Sequence, residues 1–185
     1  MMHRIVIPAS VLVIAMLAAG CQTETIARGV ARPMPAEPHA PPPVPDGAVV
    51  NRLVFMVGSK PVDTDGNGFP DRIDANVTCF AYPHPTPLWE AGRLVFSMYV
   101  KGEAHLADAV PIVQWTYEGD TLLEARAVSQ VGRQYRLALS LYETGTDRLP
   151  FGEVDLVCRF EPADGRDPVH CSGVRSLQIG RYGSG

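Results

Sequence analysis

The sequence predicts an all-β fold, an antiparallel β-sandwich of about eight strands. Three observations predict it. Three separate runs alternate apolar and polar residues: Leu94, Phe96, Met98 and Val100 against Ser97 and Tyr99; Tyr135, Leu137, Leu139 and Leu141 against Gln134, Arg136, Ala138 and Ser140; and Val154, Leu156, Cys158 and Phe160 against Asp155 and Arg159. Period two places each set on one face of a strand, whereas a helix would scatter it around its axis. From Val49 onward, short apolar runs are punctuated by turn residues at a spacing of about 8–12. Setting aside an N-terminal leader and a linker leaves roughly 140 residues, the size of one domain that can bury a core.

The leader comes first. Residues 1–20 carry a basic start at His3 and Arg4, an apolar run from Ile5 to Ala19, and small residues before Cys21. The run is shorter than the approximately 20 residues a membrane span needs and contains Pro8, so it reads as a secretory signal peptide and not as part of the fold. Leu17-Ala18-Ala19-Gly20-Cys21 resembles the lipobox of bacterial lipoproteins. The resemblance implies cleavage between Gly20 and Cys21, a thioether-linked diacylglycerol on Cys21 and acylation of the new amine. The membrane is then held through N-terminal acyl groups, and two or three chains make that attachment durable. Gln22, where such lipoproteins often carry Asp for inner-membrane retention, points to the outer membrane of the bacterial cell envelope.

Residues 21–47 are the expected tether. Pro33, Pro35, Pro38, Pro41, Pro42, Pro43 and Pro45 fix φ and remove donors, which excludes helix and sheet and favours a disordered, extended chain of about 3.1 Å per residue. The domain is expected over residues 48–185. Leu53 to Val57 and Val77 to Tyr82 read as early strands, and Val113, Trp115 and Tyr117 as a further face. Trp115 reads as core, while Trp89 sits among prolines and divides between core and a stacking platform. Glu103 to Ala109 is the one stretch expected to form a helical turn, closed by Pro111.

Between the first two strands lies Asp63-Thr64-Asp65-Gly66-Asn67-Gly68-Phe69-Pro70-Asp71-Arg72-Ile73-Asp74. Counted from Asp63, carboxylate or amide oxygens fall at positions 1, 3, 5, 9 and 12, glycine at 6 and a backbone carbonyl at 7. That spacing turns alternate side chains onto one hard cation, and six to eight oxygens are what Ca2+ requires. The expected metal residues are therefore Asp63, Asp65, Asn67, Phe69 through its carbonyl, Asp71 and Asp74. Two features depart from the common EF-hand loop: Asp74 stands where Glu is usual, and Pro70 lacks the N–H that would pair with a second hand. With these features the loop resembles the calcium repeats of the thrombospondin type 3 kind, over this single dozen residues. The ion is expected to be structural, with extracellular-type affinity of roughly 10⁻⁴ to 10⁻³ M.

Composition narrows the partners. The formal net charge is −4, from 16 basic and 20 acidic residues, and Lys and Arg form no block, which argues against nucleic acid. With Cys21 lipidated, three of the four cysteines remain in an oxidising compartment. Cys158 and Cys171 are symmetric about Asp164-Gly165, a favoured hairpin turn, and counting outward sets them opposite each other as a non-hydrogen-bonded pair suited to a disulfide. A bridge using Cys79, or three reduced thiols, stays open at this point. No catalytic signature is found, and His84, His105 and His170 have no partner in the local sequence. The expectation is a non-enzymatic binding or structural module, with a protein or carbohydrate ligand open; the alternative is an envelope enzyme, for example one acting on polysaccharide, whose residues meet only in the fold.

Overall fold

The computed structural model describes residues 41–181; the leader, the lipobox and Cys21 lie outside them. Two antiparallel sheets of five strands pack face to face. The first contains β1 (Arg52–Val57), β2 (Arg72–Phe80), β3 (Pro87–Leu88), β6 (Arg126–Ser129) and β7 (Gly132–Ser140), in the order β1-β2-β7-β6 with β3 beside β2. The second contains β4 (Gly92–Val100), β5 (Val113–Glu118), β8 (Gly152–Pro162), β9 (Val169–His170) and β10 (Arg175–Ile179), in the order β10-β8-β4-β5 with β9 beside β8. The sandwich is thus as the alternation predicts. The two strands beyond the expected eight are the two-residue pieces β3 and β9.

Alternation decides what is buried. Leu53 and Phe55, then Ile73, Ala75 and Val77, then Tyr135, Leu137 and Leu139 form one inner face; Leu94, Phe96 and Met98, then Leu156, Cys158 and Phe160, with Trp115, form the other. Each large side chain removed from water contributes about 1.5–3 kcal/mol, which makes this seam the main source of stability. Phe55 and Phe96 meet across it at a centroid distance of 5.5 Å. Polar latches cross it too: Trp115 Nε1 donates to the Ser140 carbonyl at 2.8 Å, Tyr117 hydroxyl to the Ala138 carbonyl at 2.8 Å, and Arg175 Nε to the Phe55 carbonyl at 2.9 Å. Trp115 is core.

The described end of the proline-rich stretch lies against the domain: Val44 and Ala48 pack on the core, and Thr86 Oγ1 donates to the Pro42 carbonyl at 2.7 Å. One expectation needs correction. Glu103 to Ala109 forms a chain of tight turns, with Leu106 N–H bonding Glu103 O and Ala109 N–H bonding Leu106 O. The helix lies instead at α1 (Gly119–Glu124), where Thr121 Oγ1 donates to the Glu118 carbonyl at 2.8 Å and accepts from its N–H at 3.2 Å, and Leu122 is buried. Such a reciprocal bond at the first turn starts a helix that two leucines alone would not announce.

Candidate metal centre

The acidic loop leaves the end of β1 and returns at the start of β2, at the end of the first sheet opposite to the one where Pro42 is held. A two-way bridge between Val62 and Arg72 closes its neck, with N···O distances of 2.7 and 3.1 Å. Within it, acidic side chains organise the backbone by accepting from nearby N–H groups. Asp63 takes Gly66 N–H on one oxygen and Gly68 N–H on the other, both at 2.8 Å. These bonds, that from Gly68 above all, hold its carboxyl below the ordinary carboxylate range against the opposing effect of desolvation. Gly68 has φ +86°, the left-handed bend that a side chain adopts only at a cost, which is the reason for glycine at position 6.

Asp65 accepts from Asn67 N–H at 3.1 Å, from Asn67 Nδ2 at 2.8 Å and from the Tyr142 hydroxyl at 3.0 Å. Asp71 is buried at 3% exposure and accepts from both the N–H and the hydroxyl of Thr64, at 3.0 and 2.6 Å. Oxygens of Asp63, Asp65 and Asp71 lie within 4.8 Å of one another, and among the described residues no other group of three or more His, Cys, Asp or Glu residues converges this way. Two ligands each 2.3–2.6 Å from one calcium ion are at most about 5 Å apart, so the separation suits a single shared cation. This cluster can hold a metal ion.

Two expected ligands have further partners. Asp74 lies on β2, where burial of Ile73 forces Arg72 and Asp74 to the outer face, and its carboxylate pairs with Arg72 Nε at 2.9 Å. It is not among the three converging carboxylates. Asn67 directs its nitrogen at Asp65 and its oxygen at Phe69 N–H, 2.8 Å away, which leaves that oxygen a second lone pair for an ion. The Phe69 ring faces the Arg181 guanidinium at 5.9 Å.

A residue outside the motif supports the loop from beside the cluster. Asp147, 7% exposed, accepts from Asn67 Nδ2 at 2.5 Å and from the Tyr142 hydroxyl at 3.5 Å. It follows the 3-10 turn Leu141–Thr144, which caps β7, the neighbour of β2. The hydrogen bond to Asp65, burial and the charge of Asp147 together push the Tyr142 phenol up to about 12, so it stays a neutral donor. Nothing in the sequence around Asp147 marks it, since its partner Asn67 is 80 residues away.

Elsewhere, side chains with possible chemistry are already engaged. Trp89 is half-buried, and the Arg126 and Arg133 guanidiniums approach its ring at 5.2 and 5.3 Å, which occupies the surface a sugar would stack on. Arg93 lies between Glu118 and Glu161 in a pocket of about 730 Å³. Hydrogen bonds from Arg159 and Arg93 hold Glu161 below the ordinary carboxylate range, so at neutral pH it carries no proton for acid catalysis. Cys158 and Cys171 are opposite each other in the continued β8–β9 register, as the symmetry about Asp164-Gly165 predicts. Cys171 N–H bonds Cys158 O at 2.9 Å, but Cys158 N–H turns to the Cys171 sulfur, so the pair is not a regular one, and the β8–β9 ladder stops at Phe160 and Val169 because Pro168 has no N–H to extend it. The sulfurs of Cys79, Cys158 and Cys171 are thiols.

The fold and the loop together define an all-β sandwich with an acidic cation-type cluster at one end. No protein-family model, no curated protein and no solved structure matches the chain.

Proposed function

We propose that this chain is a calcium-stabilised β-sandwich of the bacterial cell envelope, anchored through an acylated Cys21, that serves as a non-enzymatic binding or structural module. The observation that carries the calcium reading is the convergence of Asp63, Asp65 and Asp71. Carboxylates this close repel one another, and a hard divalent cation is the partner that reverses the sign of that interaction. Asp63, Asp65 and Asp71 would hold the ion, with the Asn67 amide oxygen, and Asp147 would hold Asn67 from behind. The ion would supply charge neutralisation that fixes the loop to the turn after β7.

The anchor follows from the lipobox-like residues before Cys21, and the envelope location from the anchor. The test is thermal unfolding of chelator-stripped protein with and without millimolar Ca2+. At about one to ten times Kd, which millimolar Ca2+ reaches for the expected extracellular-type affinity, binding stabilises by about 0.4–1.4 kcal/mol, read as a Tm rise of roughly 1–5 °C. Identical curves would remove the calcium reading. Fatty-acid labelling in cells that is lost in Cys21→Ser tests the anchor separately.

A further inference from the structure

Three cysteines meet where the two sheets adjoin, and their placement is unequal. Cys158 lies on the inner face of β8 at 2% exposure, and burial raises its thiol well above the ordinary range. Cys171 follows β9, is half-buried, and lines a surface pocket of about 300 Å³ with Tyr99, His105 and Arg159. Its sulfur accepts from Cys158 N–H at 3.3 Å and lies 3.4 Å from the Gly173 carbonyl. Its backbone also bridges to Leu53 of β1, so this residue joins the second sheet to the first. Cys79 sits on the inner face of β2 at 1% exposure, next to Leu53 and Leu88 in the pairing, and burial, with a smaller contribution from Glu90, pushes its thiol up to about 12.

We propose that Cys158 and Cys171 are an oxidation site: the half-buried Cys171 thiol is the entry point, Cys158 the resolving thiol, and Cys79 stays reduced. Cys171 N–H bonds the Cys158 carbonyl at 2.9 Å and Cys158 N–H bonds the Cys171 sulfur, so the two residues are in direct backbone contact, as a disulfide with Cα atoms about 4.4–6.8 Å apart requires. The Cys171 sulfur already lies against the Cys158 backbone, so a rotamer change, not a strand movement, closes the bond. Cys79 faces Cys158 from the other sheet. Packed sheets are about 10 Å apart, beyond the roughly 7 Å limit for a bridge without backbone movement.

The co-reactant is a small-molecule disulfide, RSSR. Cys171 loses its proton to solvent and its thiolate attacks one sulfur of RSSR, breaking the S–S bond; one RS⁻ leaves and takes up a proton. Cys158 then loses its proton and attacks Sγ of Cys171, breaking the mixed disulfide and releasing the second RS⁻, which is protonated in turn. Two protein thiols are oxidised and RSSR is reduced to two RSH. The new bond ties β8 to the residue that bridges to β1, and so pins the corner between the sheets.

The experiment is incubation of the full chain with oxidised glutathione, followed by intact mass and peptide mapping without reduction. The expected product is about 2 Da lighter, carries one Cys158–Cys171 link, and leaves Cys79 open to alkylation after denaturation. Its Tm rises by roughly 5–10 °C. Cys171→Ser should abolish the mass change and Cys79→Ser should leave it intact. A link through Cys79 or Cys21, or an unchanged mass in excess oxidant, would overturn the proposal, and the wild-type map decides this even where a variant fails to fold.

Discussion

The seam between the sheets and the acidic loop at its end are held by opposite means. In the seam, Phe55, Phe96, Trp115 and Leu156 are at most 1% exposed and gain from burial alone, with no ion involved. In the loop, Asp63, Asp65 and Asp71 crowd their oxygens within 4.8 Å and are held by N–H, hydroxyl and amide donors, none of which carries a full positive charge. Asp155 shows what an acidic group looks like when the chain itself completes its surroundings: it is 3% exposed, and Gly102 N–H, Ser176 hydroxyl and Lys101 surround it. The difference teaches that the seam is held by burial, whereas the carboxylates of the loop are held by neutral donors and can take a cation besides.

The largest expected effect strikes the seam. Phe96→Ala removes a ring from the centre of the interface and should cost about 3–5 kcal/mol in denaturant unfolding. Equal losses with and without calcium would keep the two regions distinct, and a loss confined to the calcium-bound form would merge them. Next, Asp63→Asn with Asp65→Asn should erase the calcium-dependent Tm rise and lower the metal-free Tm slightly, since an amide at position 63 offers one oxygen to the two N–H groups that its carboxylate now takes. A calcium-dependent rise that survives both changes would take the ion away from these carboxylates.

Smaller still is Gly68→Ala. The added carbon finds Arg181 Nε at 3.8 Å, an ordinary contact, so the cost is the left-handed backbone, about 1–2 kcal/mol. It should lower the Tm and weaken calcium binding together. The smallest effect is one of pH. Burial acts against the charge of Asp155, but Gly102, Ser176 and Lys101 outweigh it and hold its carboxyl below 3.8. A depressed folded-state value means stability present above the unfolded pKa and lost as pH falls through the folded one. Acid unfolding of Asp155→Asn should therefore lack that part of the decline below about pH 4, at the expense of lower stability at neutral pH.

Much of the fold was legible in the chain because apolar side chains alternate along the long strands: Leu94, Phe96 and Met98 or Tyr135, Leu137 and Leu139 need no partner to reveal their face, even though β4 buries Val95 and Ser97 on its other face as well. The acidic loop was legible for the same local reason, its residues being contiguous. What spacing alone did not show is the strand beginning at Arg72, which sets Asp74 on the outer face beside the Arg72 guanidinium. Asp147 was invisible, as its role arises only from β7 lying beside β2. Helix α1 rests on one threonine bonding back to Glu118, too brief a signal for periodicity to register.

The most direct measurement is calorimetric titration of calcium into the chelator-stripped full chain, wild type beside Asp71→Asn and Asp74→Asn. The account predicts one ion per chain, binding weakened at least about tenfold by the loss of the buried Asp71 carboxylate, and little change from the loss of Asp74. No heat in the wild type, or an affinity that collapses with Asp74 and survives without Asp71, would contradict it.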